Sequence, residues 1–201
     1  MATKEDILEQ IVEEYFLTKG YFVQHNVKFK PRRDHPDFVR EQDSNHSDID
    51  VLAINPIQSG PDAVVAVSCK SWQAGFDPRR ELDAIEHNKI LSGRERWRTF
   101  RELCVPKWSE AFIQKVRDMT GCVEFTHITA VSHIKGQRTL WETHAPFQQA
   151  MDTNPVRLLT FRDMLEEIQH NMTTTLASTE VGRMIQMFRA AGIQLGNVTD
   201  A

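Results

Sequence analysis

The sequence predicts an α/β protein with a mixed central sheet, and three observations carry that prediction. Near the N-terminus, Ile7, Leu8, Ile11, Val12, Tyr15 and Phe16 recur at helical spacing. Two short runs, SDIDVLAI and AVVAVSCK, are apolar on both faces, as strands covered by helices on either side must be. Beyond them, helical segments alternate with β-branched runs, a succession that layers helices on a sheet.

The elements follow in order. Residues 5–19 form an amphipathic helix, with Thr3 a candidate cap and Gly20 its C′ residue. Tyr21-Phe22-Val23 begins a first strand. Residues 24–47 are polar, contain Pro31, Pro36, Arg32 and Arg33, and read as a long loop. The runs from Ser47 and Ala63 are strands, with Ile49, Val51 and Ala53 facing one way and Leu52 and Ile54 the other. The short connection through Gly60-Pro61 makes them a hairpin. Residues 77–103 read as mostly helical, with a break near Ser92-Gly93. Pro106 opens another helix, ended by Gly121. CVEFTHITAVSHI and VRLLTF are strands, RDMLEEIQ is a helix, and STEVGRMIQMFRAAG is an amphipathic helix with Met184, Met187 and Phe188 on its apolar side.

Composition narrows the function class only modestly. The chain has 201 residues, 40% apolar and 26% charged, which suits one globular domain with elaborations. No apolar run reaches the length of a membrane span, and the charged N-terminus lacks a signal-peptide core, so no membrane is expected and the cytoplasm is the default location. Three cysteines without CxxC spacing argue against a disulfide framework or a cysteine-rich zinc site. The eight histidines are scattered and read as surface or satisfied residues. A net charge of −4 does not announce a nucleic-acid binder, although only the binding face of such a protein must be basic.

The chemistry centres on the two buried strands. Alternation puts Asp48 and Asp50 on one face of the first, and Ser68 and Lys70 on one face of the second. In a hairpin, Asp50 and Lys70 then meet. A carboxylate suits a hard cation such as Mg²⁺, and a lysine beside it suits a reaction that develops negative charge on a phosphate.

These residues resemble the motif of the PD-(D/E)xK nucleases. SDIDVLAI…AVVAVSCKSW is similar to their paired-strand signature, with Asp50 as the Asp and Lys70 as the Lys. The resemblance covers roughly residues 5 to 135. It implies a restriction-endonuclease-like αβββαβ core over residues 1–135, with a C-terminal strand and helices, residues 136–201, packed on the same domain. It further implies Mg²⁺- or Mn²⁺-dependent hydrolysis of phosphodiester bonds in DNA. Many members carry a Glu on the first helix, eleven residues before its closing Gly, and that spacing selects Glu9, ahead of Glu5 and Glu13.

The chain departs from the pattern at one point: the acid two residues before Lys70 is replaced by Ser68. A subgroup of type II restriction enzymes looks similar, with Ser-x-Lys and an acid recruited from the following helix. That resemblance points to Asp83, then to Glu86 and Glu81, as the second metal-binding acid. The alternative is a catalytically degenerate nuclease-like module that binds nucleic acid or a protein partner. The sequence is equally compatible with duplex, branched or single-stranded DNA or RNA. A homodimer is the arrangement that would give one site per strand.

Candidate phosphate contacts are Arg79 and Arg80, close after Lys70, and the stretch Arg94, Arg96, Arg98 and Arg101 around Trp97, offset only by Glu95 and Glu102. Arg32 and Arg33 would reach a bound strand from the long loop. Each of these also reads as an ordinary solvated charge. Trp72 and Gln73 would shape the site or, for the Trp, pack against the domain. Cys69 should alternate to the face opposite Lys70 as a small buried hydrophobe rather than a nucleophile.

Overall fold

The computed structural model describes residues 6–71 and 74–193. In chain order its elements are α1 (Ile7–Thr18), β1 (Phe22–Phe29), α2 (Arg40–Asp43), β2 (Ser47–Ile54), β3 (Val64–Lys70), α3 (Pro78–Glu86), β4 (Ile90–Leu91), β5 (Arg94–Glu95), α4 (Arg101–Cys104), α5 (Pro106–Thr120), β6 (Thr126–Val131), α6 (Thr139–Glu142), α7 (Ala145–Ala150), β7 (Val156–Thr160), α8 (Phe161–Asn171) and α9 (Glu180–Ala190).

A mixed five-stranded sheet, ordered β1-β2-β3-β6-β7, forms the middle layer. The first three strands make an antiparallel meander, and β6 and β7 continue parallel to β3. Helices cover both faces. Leu8, Ile11, Val12 and Phe16 of α1, with Met164 and Ile168 of α8 and Ile185 of α9, pack on Val51, Ala53, Val65 and Val67. Leu103, Trp108, Phe112, Trp141 and Phe147 pack on Ile49, Leu52, Ala66 and Val131 from the other side. Both faces of β2 and β3 are therefore dry, as their apolar runs require. Because β7 pairs with β6, the C-terminal third completes the same sheet.

Local chemistry explains most element ends. Asp6 caps α1, its Oδ1 accepting from the Leu8 N–H at 2.9 Å; Thr3 lies outside the described residues. Gly121 closes α5 with φ +74°, a left-handed conformation that suits glycine. A helix-wide capping box, Thr160 with Asp163, starts α8 directly off β7.

The bounds of the first loop and of the helix after β3 differ from the sequence reading. The loop read from residue 24 begins only after Phe29, because β1 runs on as an edge strand paired to β2. Its first half alternates exposed and half-buried residues and so lacks an apolar signal. The helix read through residues 77–103 ends at Glu86. Ser92 and Gly93, with φ of +54° and +80°, turn the chain between β4 and β5, which pair as a miniature hairpin. Positive φ at both central residues is the hairpin turn that matches strand twist. A 3₁₀ segment, Arg96–Phe100, then leads into α4.

The strands around Asp50 do not alternate regularly. Ile49 packs in the α5-side core while Val51 and Ala53 pack in the α1-side core, so the pleat changes face between them. Opposite this point Asn26 takes φ +53°, a kink in β1. The alternation expected from Asp48 through Ala53 is broken at Asp50 itself.

Candidate active site

The ladder between β2 and β3 runs from Ile54↔Val64 to Val51↔Val67 and stops there. Beyond it the strands fork, and Asp50, Ser68, Cys69 and Lys70 stand at the opening. Asp50 bridges the fork, its Oδ2 accepting from the Cys69 backbone N–H at 2.6 Å. Lys70 Nζ lies 3.9 Å from the same oxygen, and the two side chains are 18% and 19% exposed. The sequence-based pairing of Asp50 with Lys70 is present in the structure.

The structure brings a different acid to this pair from those the sequence suggested. Glu102, buried on α4, accepts a hydrogen bond from the Ser68 hydroxyl at its Oε1, 3.1 Å away. Its placement follows from local sequence: Phe100 and Leu103 on either side are fully buried, and they carry Glu102 down onto the sheet. The register beneath it sets Ser68 beside Thr129 and Ala66 beside His127 on β6. His127 Nε2 lies 3.9 Å from Glu102 Oε1, an ion-pair separation longer than a hydrogen bond.

The two carboxyls are tuned in opposite directions. Burial pushes Asp50 above the ordinary aspartate range; Lys70 and the Cys69 N–H oppose this, while the charge of Glu102 adds to it. Burial also acts to raise Glu102, but His127 and the positive charge of Lys70 outweigh it and hold Glu102 below its usual value. The two acids thus carry like charges beside one lysine, whose own charge acts on the ionisation of both.

Other sequence candidates lie elsewhere. Asp83 is half exposed and pairs with Lys89 and with His87, whose Nδ1 is 3.3 Å from Asp83 Oδ1. Exposed Glu86, beside His144, lines a cleft of about 1050 Å³ between Phe29, Ile85, Leu103 and Phe147. Neither Asp50 nor Lys70 lines that cleft, so its size does not mark the chemistry. Glu81 is buried against Arg96. Glu9 lies near the end of β3, where its charge acts on Cys69 together with that of Asp6, whose Oδ2 accepts from the Ser71 hydroxyl. Cys69 packs with the α1-side core, opposite Ser68, and burial pushes its thiol well up, which removes it as a nucleophile.

Among the basic residues, Arg79 and Arg80 are exposed in the first turn of α3. Arg94 is exposed on β5. Arg96 is corrected from candidate phosphate contact to buried ion-pair partner of Glu81. Arg98 is held by Glu95 at 2.6 Å and lies over Trp97, and Arg101 lies over Trp108. Arg32 pairs with Asp34. Trp72, Gln73 and Glu5 lie outside the described residues.

No family model matches the chain, and no curated protein or solved structure matches it either. Among the described residues, no helix is long and apolar enough to cross a membrane. No three His, Cys, Asp or Glu side chains there gather as a ready-made metal cage.

Sequence reasoning missed Glu102 and His127. Glu102 was legible only as an offset to nearby arginines, although it sits in an apolar frame, TFRELC. His127 interrupts an otherwise apolar and β-branched strand, THITAV, and that interruption was the available signal.

Proposed function

We propose that this chain is a metal-dependent DNA endonuclease built on a restriction-endonuclease-like core, with Glu102 in place of the acid that Ser68 displaces. The observation that carries this reading is Lys70 Nζ at 3.9 Å from Asp50 Oδ2 where β2 and β3 part. The order α1, β1, β2, β3, α5, β6, with β6 parallel to β3, supports it.

The donor set fits a hard divalent cation. Asp50 and Glu102 are both carboxylates, and Asp50 is held where its ionisation is disfavoured without a nearby cation. With two acids rather than an all-protein cage, the set suits Mg²⁺ or Mn²⁺, which keep water and substrate phosphate oxygens as their remaining ligands. Bound between these residues, the ion would lower the pKa of a water and offset charge on the phosphate.

The protein's own residues divide the remaining work. Lys70, mostly buried and beside Asp50, donates N–H to the attacking water or to a phosphate oxygen as negative charge develops. Ser68 holds no proton in play; it orients Glu102 through its hydroxyl. The Cys69 N–H fixes one oxygen of Asp50. Arg79 and Arg80, exposed in the first turn of α3, would supply positive charge to hold a phosphate backbone. Asp83 and Glu86 have no part in this reading.

The test is incubation of supercoiled plasmid with the protein and Mg²⁺ or Mn²⁺, with Lys70→Ala in parallel. Nicking that requires the metal and is lost in the folded variant supports the reading. Metal-independent nicking overturns the metal-dependent mechanism, and no nicking of duplex, branched or single-stranded DNA overturns the reading in favour of a binding module.

A further inference from the structure

His127 sits in the middle of β6, fully excluded from solvent. Its ring packs against Phe112 with centroids 5.4 Å apart. Neither ring nitrogen has a hydrogen-bond partner among the described residues. The buried hydroxyls of Thr129, beside Ser68 in the register, and of Thr99, three residues before Glu102, are also without one. Buried polar groups left unmet are costly, and each calls for a reason. The charged group within reach of His127 is Glu102, 3.9 Å away.

We propose that His127 is a positioning residue for Glu102. Its Nε2–H holds Glu102 Oε1, directly after a small shift or through one water, for which the neighbouring threonine hydroxyls provide further partners. Ser68 and His127 both address Oε1, and neither occupies Oε2. The carboxylate is thus addressed through one oxygen, with the other free of both residues. The inference rests on the reading of Asp50, Lys70 and Glu102 given above.

The experiment compares His127→Gln, which keeps an N–H donor, with His127→Met, which fills similar space without one. Mn²⁺ affinity is read by EPR of the free ion. His127→Gln is expected to bind within about threefold of wild type and His127→Met to lose about 10–100-fold, the range for lost support of a metal ligand. In metal-free protein, His127→Met should lower the melting temperature of wild type but not that of Glu102→Leu, in which no acceptor is left for the ring. Equal Mn²⁺ affinity in the Gln and Met variants, or equal melting shifts in both backgrounds, overturns the proposal. Should His127→Met not fold, His127→Leu serves the same comparison. Wild-type protein that binds no Mn²⁺ removes the nuclease reading and this inference together, whereas normal wild-type binding with an indifferent His127 removes this inference alone.

Discussion

The Ser68 hydroxyl donates to Glu102 Oε1 at 3.1 Å, joining the end of β3 to a buried acid on α4 that lies 34 residues further along the chain. In the proposed reading, the serine that departs from the nuclease motif is also the residue that binds the substitute acid. Ser68→Ala should leave Glu102 buried with one hydrogen bond fewer. A bond to a charged group contributes roughly 1.5–3 kcal/mol, so the melting temperature should fall by about 3–10 °C. A melting curve checks this, and an unchanged midpoint would show that the bond does not hold Glu102 in solution.

Asp50 predicts the opposite sign. Its carboxyl is raised in the folded state, so the native protein binds the proton more tightly than the unfolded chain does. Stability is therefore lost as pH rises from the ordinary aspartate value through the folded one, and at neutral pH the ionised Asp50 is a net cost. Asp50→Asn keeps an oxygen to accept from the Cys69 N–H and removes the charge. The metal-free variant should melt higher than wild type at pH 7, with the gap closing toward pH 4. A lower midpoint at pH 7 would contradict the site's electrostatics.

Glu102 is held below its usual value, so its contribution is present above the unfolded glutamate pKa and disappears as pH falls through the lower folded one. Glu102→Gln should accordingly destabilise the metal-free protein at neutral pH, by roughly 2 kcal/mol for a lost charge-assisted contact. The deficit should shrink in acid. Urea melts of both proteins at pH 7 and at pH 3.5 measure it, and a deficit that grows in acid would reverse the assigned direction.

How much of this was legible in the sequence depends on whether the signal was local. The two central strands and their hairpin were readable because double-sided burial is written in neighbouring residues. The Asp50–Lys70 pair was expected from an alternation that breaks at Asp50, and it holds because both residues stand where β2 and β3 part. β1 beyond Val23 was not, because an edge strand with one wet face looks polar. The Ser92-Gly93 turn was seen as a break, but the tiny hairpin it makes needs the β4–β5 pairing to be visible. Asp83 followed from a spacing borrowed by resemblance, whereas Glu102 reaches Ser68 through a detour of hairpin and 3₁₀ turn that no fixed spacing anticipates.

The arginines separate by burial. Arg96 is 9% exposed and tied to Glu81, so Arg96→Met leaves a buried carboxylate unpaired and should cost about 3–5 kcal/mol of stability. Arg79 and Arg80 are exposed, and changing both to Ala should barely move the melting temperature. If they contact phosphates, the double variant should weaken DNA binding and reduce the salt slope of log K by about 2. Fluorescence anisotropy at several salt concentrations reads both. An unaltered slope would take these arginines out of the interface.

Gly75 sits tightly against His133. It has φ +80°, and a Cβ there would meet His133 Nε2 at 2.2 Å. Phe76 next to it bonds the β6 extension, its N–H donating to His133 O at 2.8 Å. Gly75→Ala should therefore both strain the backbone and push His133 aside, lowering stability by about 1–3 kcal/mol. A thermal melt within 1 °C of wild type would show that the turn tolerates a side chain.

The most direct test of the central claim is plasmid nicking by Glu102→Gln beside Asp83→Asn and Glu86→Gln, each with Mg²⁺ and Mn²⁺ and each shown to be folded. Glu102→Gln should lose activity by at least about 100-fold, the scale of removing a group that acts on charge at the reacting centre, while the other two retain it. Nicking by Glu102→Gln at the wild-type rate, or its loss in Asp83→Asn, would contradict the assignment of Glu102 as the acid of this site.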